Sequence, residues 1–183
     1  MKRFFDVIVS ALVLVIFSPF WLMIGLLIKL NDGGPVMFKQ KRIGKDGNEF
    51  HFMKFRSMPV NTPNVVSTQT AVLKVTPIGK IIRRTNLDEI PQFINVLKGD
   101  MSIIGPRPSL PSQASLIAMR KQNGAMKLRP GLTGWAQVNS YDYMPEEEKA
   151  RLDGEYFQKV GLVMDLKIVF GTIKYFTKKP PVY

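Results

Sequence analysis

Residues 7–28 read Val-Ile-Val-Ser-Ala-Leu-Val-Leu-Val-Ile-Phe-Ser-Pro-Phe-Trp-Leu-Met-Ile-Gly-Leu-Leu-Ile, a run without one charged side chain. As a helix rising about 1.5 Å per residue it would reach roughly 33 Å, the thickness of a bilayer's hydrocarbon core. A secretory signal has a shorter apolar region and a small-residue cleavage site, whereas Lys29-Leu30-Asn31-Asp32 follows this run, so the segment is expected to be retained. Pro19, in the middle, removes a backbone donor and clashes with the preceding turn, so the helix should break at Ser18-Pro19 into two arms too short to span alone. Lys2 and Arg3 precede the run, and Lys29, Lys39, Lys41, Arg42 and Lys45 follow it. Two basic flanks resist being placed on opposite sides, and a hairpin that enters the membrane, turns at Ser18-Pro19 and leaves by the same face satisfies both. The Ser18 hydroxyl is placed to help the carbonyls freed at such a break. A single-span anchor with a tolerated proline, or a buried soluble helix, are the plainer readings.

The remainder is ordinary globular material with an extraordinary charge. The chain has 183 residues, 45% hydrophobic and 22% charged, a composition that excludes a disordered tail or a fibrous repeat. Its length suits one domain. Lysine and arginine number 26 against 14 acidic residues, giving +12 and anionic partners. The absence of cysteine removes disulfides, thiolate zinc sites and thiol nucleophiles, and the single histidine, His51, makes a histidine metal site unpromising.

Asn31-Asp32-Gly33-Gly34-Pro35 ends the membrane element. Residues 36–42 and 49–56 are expected to pair as a hairpin around Lys45-Asp46-Gly47-Asn48, with Lys54 and Arg56 projecting together from the end of the second strand. Residues 57–76 read as a loop. Helices are expected near 77–84, 88–98, 112–123 and 145–159, and from about Asp165 to Thr177, where Leu166, Ile168, Val169, Phe170, Ile173, Tyr175 and Phe176 with Lys178 and Lys179 suit either a membrane surface or an ordinary core.

The polar residues concentrate between Arg83 and Pro108. Asn86 and Glu89 have the spacing of a helix capping pair, and Asp88 with Glu89 complements a helix start, which is a sufficient structural account. Yet Arg83, Arg84 and Arg107 lie nearby in sequence, Gly105-Pro106-Arg107-Pro108 is a rigid turn, and Lys54 and Arg56 end a strand. Such cations suit phosphate.

Five ordered blocks carry a resemblance: Lys54-Phe55-Arg56-Ser57-Met58, Leu87-Asp88-Glu89-Ile90-Pro91-Gln92, Asn95-Val96-Leu97-Lys98-Gly99-Asp100-Met101-Ser102, Gly105-Pro106-Arg107-Pro108, and Arg129-Pro130-Gly131-Leu132-Thr133-Gly134-Trp135-Ala136-Gln137. Together they resemble the bacterial sugar transferases, the monotopic phosphoglycosyl transferases, over the chain from its amino terminus to about Thr172; the size resembles the small members.

The resemblance implies an enzyme that moves a sugar 1-phosphate from a UDP-sugar to a polyprenyl phosphate, usually undecaprenyl phosphate. It further implies UMP release, an aspartyl phosphosugar intermediate on Asp88, and work at the cytoplasmic face of the bacterial inner membrane as the first membrane step of glycoconjugate assembly. It also implies that the membrane element is a reentrant helix broken at Ser18 and Pro19. The expected fold class is therefore α+β: a reentrant element over 1–30, and a cytoplasmic catalytic domain over 31–183 of short helices and a β-hairpin, with interfacial amphipathic helices.

A carboxylate attacks a dianionic diphosphate only where charge is neutralised, so Mg²⁺ at Asp88 and Glu89 is expected along with cationic side chains. Lys54, Arg83, Arg107 and Arg129 are the candidates for phosphate. Gly131 and Thr133 belong to a tight loop whose backbone donors suit a nucleotide or phosphate. Trp135 is placed either to stack on a base or to pack in a core, and Asp153 and Tyr156 match a further family element for which a cap or a tyrosine hydrogen bond suffices. Residues 138–143 depart from the Gly-Arg-Asn run of many relatives, which leaves the sugar open. Expected partners are the UDP-sugar, undecaprenyl phosphate and the lipid bilayer; nucleic acid is not expected, and a homodimer is compatible with the chain but unmarked in it. The contrasting class is a noncatalytic, basic, lipid-binding membrane protein, which would be indifferent to Asp88→Ala.

Overall fold

A computed structural model describes residues 2–62, 75–141 and 143–176. Most of the expected loop at 57–76, and the end of the last expected helix, lie outside these. The chain forms two compact units, residues 1–40 with 51–98 and residues 41–50 with 99–183.

In the first unit the apolar amino terminus forms two helices, α1 (Lys2–Ile16) and α2 (Ser18–Asp32), bent by 63° at the break. Among the described residues no single helix is long and apolar enough to cross a membrane, but this bent pair is, taken together. Pro19 sits in the first turn of α2, where its missing N–H costs nothing. The carbonyl that receives help at the break is that of Leu14, and its donor is the Trp21 indole N–H at 3.1 Å, not the Ser18 hydroxyl. An indole one turn into α2 reaches back across the bend, farther than a serine side chain does. Gly33, at φ 70°, ends α2 in the left-handed conformation that glycine adopts freely, with its N–H on the Lys29 carbonyl.

Ile24 and Ile28 of α2 are buried against Phe55, Ile82 and Ile90. The other faces of the pair stay bare: Phe4, Leu12, Val15, Ile16, Phe20, Leu22, Leu26 and Leu30 are all more than half exposed. One stripe thus serves a protein core, and the rest of the pair presents exposed apolar side chains.

Strands β1 (Met37–Ile43) and β2 (Glu49–Phe55) pair as the expected hairpin. Asp46 and Gly47 both take positive φ, 56° and 85°, and the Asn48 N–H closes on the Lys45 carbonyl at 3.1 Å, the mirror-image turn that an Asp-Gly pair favours. The outer end of the hairpin belongs to the second unit. α3 (Pro77–Arg84) follows, capped by the Thr76 side chain on the Gly79 N–H.

The single helix expected at 88–98 is two elements. Asn86 takes a left-handed backbone, makes no side-chain cap, and leads into one 3-10 turn, Leu87–Glu89; α4 (Gln92–Lys98) begins only after Pro91. The Asn86–Glu89 capping pair therefore does not form. Asparagine tolerates the left-handed region better than most residues, and a proline without an N–H separates the turn from the helix.

The second unit contains β3 (Ser102–Ile104), α5 (Ala114–Gln122), β4 (Gly131–Thr133), α6 (Trp135–Val138), α7 (Glu146–Gln158) and α8 (Leu162–Phe176). β3 and β4 pair in parallel, Ser102 with Gly131 and Ile104 with Thr133. A Cβ on Gly131 would lie 2.1 Å from the Gly105 nitrogen, and one on Gly134 2.0 Å from the Gly105 carbonyl oxygen. These glycines allow backbone to meet backbone. The core here gathers Ile104, Tyr156, Met164 and Ile168, with Trp135 packed against it. α8 buries Met164 and Ile168 while Leu162, Val163, Leu166, Phe170 and Ile173 stay exposed, so it has both a core side and a bare apolar side.

Candidate active site

Asp88 and Glu89 stand side by side on the short 3-10 turn between α3 and α4. Lys54, from β2, reaches both: its Nζ is 2.7 Å from Glu89 Oε1 and 3.8 Å from Asp88 Oδ2. The ammonium also lies 5.5 Å from the centre of the Phe52 ring, which screens it from water on that side. Asp88 is 6% exposed, whereas Glu89 and Lys54 are half-buried.

What brings β2 to this turn is Asn95, fully buried on α4. Its Oδ1 accepts from the Met53 N–H at 3.1 Å and its Nδ2 donates to the His51 carbonyl at 2.8 Å. The amide thereby imitates a neighbouring strand along β2 and fixes the strand on which Lys54 sits. Sequence reasoning quoted Asn95 only as part of a motif; its partners lie more than forty residues away, and no local pattern announces them.

Lys54 and Arg56, expected to project together, serve different partners. Arg56 is buried and forks onto Asp32: Nη1 donates to Oδ2 at 2.5 Å and Nη2 to Oδ1, while Nε donates to the Pro35 carbonyl at 2.6 Å. The guanidinium holds the Asp32 carboxyl at a pKa of about 2, well below its ordinary value. Arg56 is thus committed to the protein itself, because it follows the last residue of the strand and turns toward the end of α2.

Arg83 is exposed on the last turn of α3. The other candidates belong to the second unit. Arg107 is half-buried in its Gly-Pro-Arg-Pro turn, whose shape is held from behind: Arg120 Nη1 donates to the Arg107 carbonyl at 2.8 Å and to the Ser109 hydroxyl at 2.6 Å. Arg120 donates in turn to Asp153 Oδ2 from Nε and Nη2, at 2.8 and 2.6 Å. Asp153 is 1% exposed; burial pushes its carboxyl above the ordinary value while Arg120 pulls against that. Asp153 is thus a buried ion-pair partner, not a helix cap, and Tyr156 makes the tyrosine hydrogen bond, donating to Asp165 at 2.6 Å.

Arg129 is exposed, with Nε on the Gly99 carbonyl at 2.9 Å. The stretch read as a loop with backbone donors is in part β4: the Gly131 N–H donates to the Pro106 carbonyl at 2.8 Å, and Thr133 Oγ1 shares a 2.7 Å hydrogen bond with Thr172. Trp135 takes its core alternative, its indole donating to Glu155 at 3.2 Å.

Two adjacent carboxylates form a hard, oxygen-rich donor pair, and Mg²⁺ is ordinarily held by one or two carboxylates with phosphate and water completing the set. Asp88 and Glu89 fit that role. Among the described residues no group of three or more histidine, cysteine, aspartate or glutamate side chains is assembled for a metal, so such a cation would draw its other ligands from substrate and solvent.

The chain is thus an α+β protein of short helices and small sheets whose first unit combines a carboxylate pair against one lysine with an apolar bent helix pair. The chain belongs to the bacterial sugar transferase family, which matches residues 1–179. It is 41% identical to the UDP-glucose:undecaprenyl-phosphate glucose-1-phosphate transferase of Escherichia coli (strain K12), over 94% of this chain and 39% of that protein. It is 39% identical to the UDP-N-acetylgalactosamine-undecaprenyl-phosphate N-acetylgalactosaminephosphotransferase of Aeromonas hydrophila, over 94% of this chain and 43% of that protein. The chain thus spans about two fifths of these relatives. It covers 93% of the exopolysaccharide production protein PSS of Rhizobium leguminosarum bv. phaseoli, at 39% identity.

Proposed function

We propose that this chain transfers a sugar 1-phosphate from a UDP-sugar to undecaprenyl phosphate, releasing UMP. The observation that carries the reading is the buried Asp88 beside Glu89, with one lysine shared between the two carboxylates. The Asp88 carboxylate oxygen attacks the phosphorus that bears the sugar; the bond from that phosphorus to the bridging oxygen breaks, and UMP leaves with the oxygen. An oxygen of the polyprenyl phosphate then attacks the same phosphorus, the aspartyl oxygen–phosphorus bond breaks, and the carboxylate is restored. Neither step needs a proton from the acceptor, since a phosphate monoester is largely ionised near neutral pH.

Lys54 offsets the charge of the dyad and, when the diphosphate arrives, is at hand for its oxygens. Arg83, Arg107 and Arg129 are the further phosphate binders, with Gly131 and Thr133 shaping the wall beside Arg129; guanidinium groups match phosphate oxygens in pairs. Mg²⁺ at Asp88 and Glu89, when bound, supplies charge neutralisation for the diphosphate. The bent α1–α2 pair is a reentrant membrane element entering and leaving by one face, and the chain works at the cytoplasmic leaflet of the bacterial cell membrane; the basic flanks of the apolar run support this reading. The names of its relatives support the substrate class, glucose and N-acetylgalactosamine both occurring among them.

The test is UMP release by the detergent-solubilised chain with Mg²⁺, undecaprenyl phosphate and a panel of UDP-sugars, beside Asp88→Asn. Sustained release that requires lipid, metal and Asp88 is expected, with no more than a single-turnover burst when the lipid is left out, and the panel names the donor. A folded wild-type chain that releases no UMP across the panel overturns the reading in favour of a noncatalytic lipid-binding protein.

A further inference from the structure

Both ends of the bent helix pair are fastened to the elements that carry the site, each by a guanidinium. At the first end Arg3, in the opening turn of α1, donates from Nη2 to the Leu97 carbonyl at 2.8 Å and from Nη1 to the Val96 carbonyl. It thus closes the carbonyl end of α4, the helix that follows the dyad. At the second end Asp32, the last residue of α2, receives the Arg56 fork, and Arg56 also donates to the Pro35 carbonyl, and at 3.4 Å to that of Met58. Gly34 leaves room for this: a Cβ there would stand 2.9 Å from Arg56 Nη2. Arg56 comes two residues after Lys54 and directly after the end of β2. One planar group therefore ties together the exit of the membrane element, the entry to β1 and the exit of the strand whose lysine meets Asp88 and Glu89.

We propose, building on the transferase reading, that Asp32 and Arg56 are positioning residues for the second half-reaction: they fix the height of the dyad above the membrane element, so that the phosphosugar meets an acceptor phosphate held at the bilayer surface. The two substrates differ in what they demand. A UDP-sugar arrives from water and reaches the dyad whatever the tilt of the helix pair. The acceptor's tail is confined to the bilayer, so its phosphate has little reach along the membrane normal. A bidentate fork fixes direction as well as distance, which a lysine or a neutral amide does not. A displacement on the order of 1 Å is enough to cost about a hundredfold in rate when reacting groups are prealigned.

The test uses the full chain in liposomes containing undecaprenyl phosphate, as wild type, Asp32→Asn and Arg56→Lys, with the donor found from the panel. Two quantities are read: the UMP burst without acceptor, and steady-state transfer to the lipid. The expected result is a burst within about twofold of wild type and transfer reduced about tenfold or more, with liposome flotation unchanged. In detergent micelles, where no flat surface fixes the acceptor, the loss should largely disappear. Equal losses of burst and transfer, a loss that persists in micelles, or no loss in either variant overturns the inference while leaving the transferase reading intact. A wild-type chain without UMP release overturns both.

Discussion

Two of the molecule's charge clusters, one around Arg120 and one around Lys54, are closed to different degrees. Arg120 and Asp153 form a sealed pair: both are at most 5% exposed, and the arginine's remaining donors go to the Arg107 carbonyl and the Ser109 hydroxyl. Lys54 stands instead against two carboxylates at unequal distances, 2.7 and 3.8 Å, with itself and Glu89 partly open to water. The first balances one cation with one anion inside the fold and so holds a turn in shape. The second brings one lysine to two adjacent carboxylates at a site that water reaches, an arrangement that a cationic cofactor or an arriving phosphate can use. The difference teaches that charge in the interior supports architecture where it is sealed and serves chemistry where solvent and substrate can reach it.

The largest expected effect separates the clusters outright. Asp88→Asn should lower transfer by about a thousandfold or more, since it removes the proposed nucleophile, while the melting temperature stays near that of wild type. Asp153→Ala should do the reverse, leaving Arg120 buried without its carboxylate at a cost of about 3–5 kcal/mol, visible as a lowered denaturation midpoint. Replacing both partners, Arg120→Met with Asp153→Leu, should recover much of that stability, which a double-mutant cycle measures.

Lys54→Met sharpens the contrast from the other side. Transfer should fall about ten- to a hundredfold with little loss of stability. Asn95→Ala touches neither charge cluster and leaves a strand N–H and carbonyl without their amide partner; chemical denaturation should show about 1–3 kcal/mol lost.

The smallest effect is a pH dependence. Asp32 lies beyond the uncharged run that ends at Ile28, and Arg56 holds its pKa at about 2 against 3.8 ordinarily. A depressed carboxyl contributes stability that is fully present above its unfolded value and is lost as the pH falls toward the folded one. Thermal melts should therefore decline from about pH 5 to pH 2 in the wild type, and Asp32→Asn should flatten part of that decline.

Short-range chemistry was readable from the chain. The break at Ser18-Pro19, the hairpin on Asp46-Gly47 and the helix at 77–84 each follow from residues that impose a backbone geometry on their neighbours. The dyad was readable as residues, but its surroundings were not: Lys54 lies 35 positions from Glu89, and Arg120 lies 33 from Asp153. Strands of three residues, such as β3 and β4, are too short for an alternating pattern, and the glycines and prolines that let them approach look like a turn. Arg56 looked like a phosphate ligand because arginine beside lysine at a strand end suits one, and only the fold brings Asp32 to it.

The indole that closes the bend also gives the protein a built-in optical probe. The chain has two tryptophans. Trp135 is bonded to Glu155 in the second unit, and Trp21 is bonded to the Leu14 carbonyl across the break. With Trp135→Phe, the remaining emission comes from the elbow alone. Its wavelength and its quenching by brominated lipids then measure whether the elbow enters a bilayer, how deep it sits and whether it straightens, without any label attached to the helix pair.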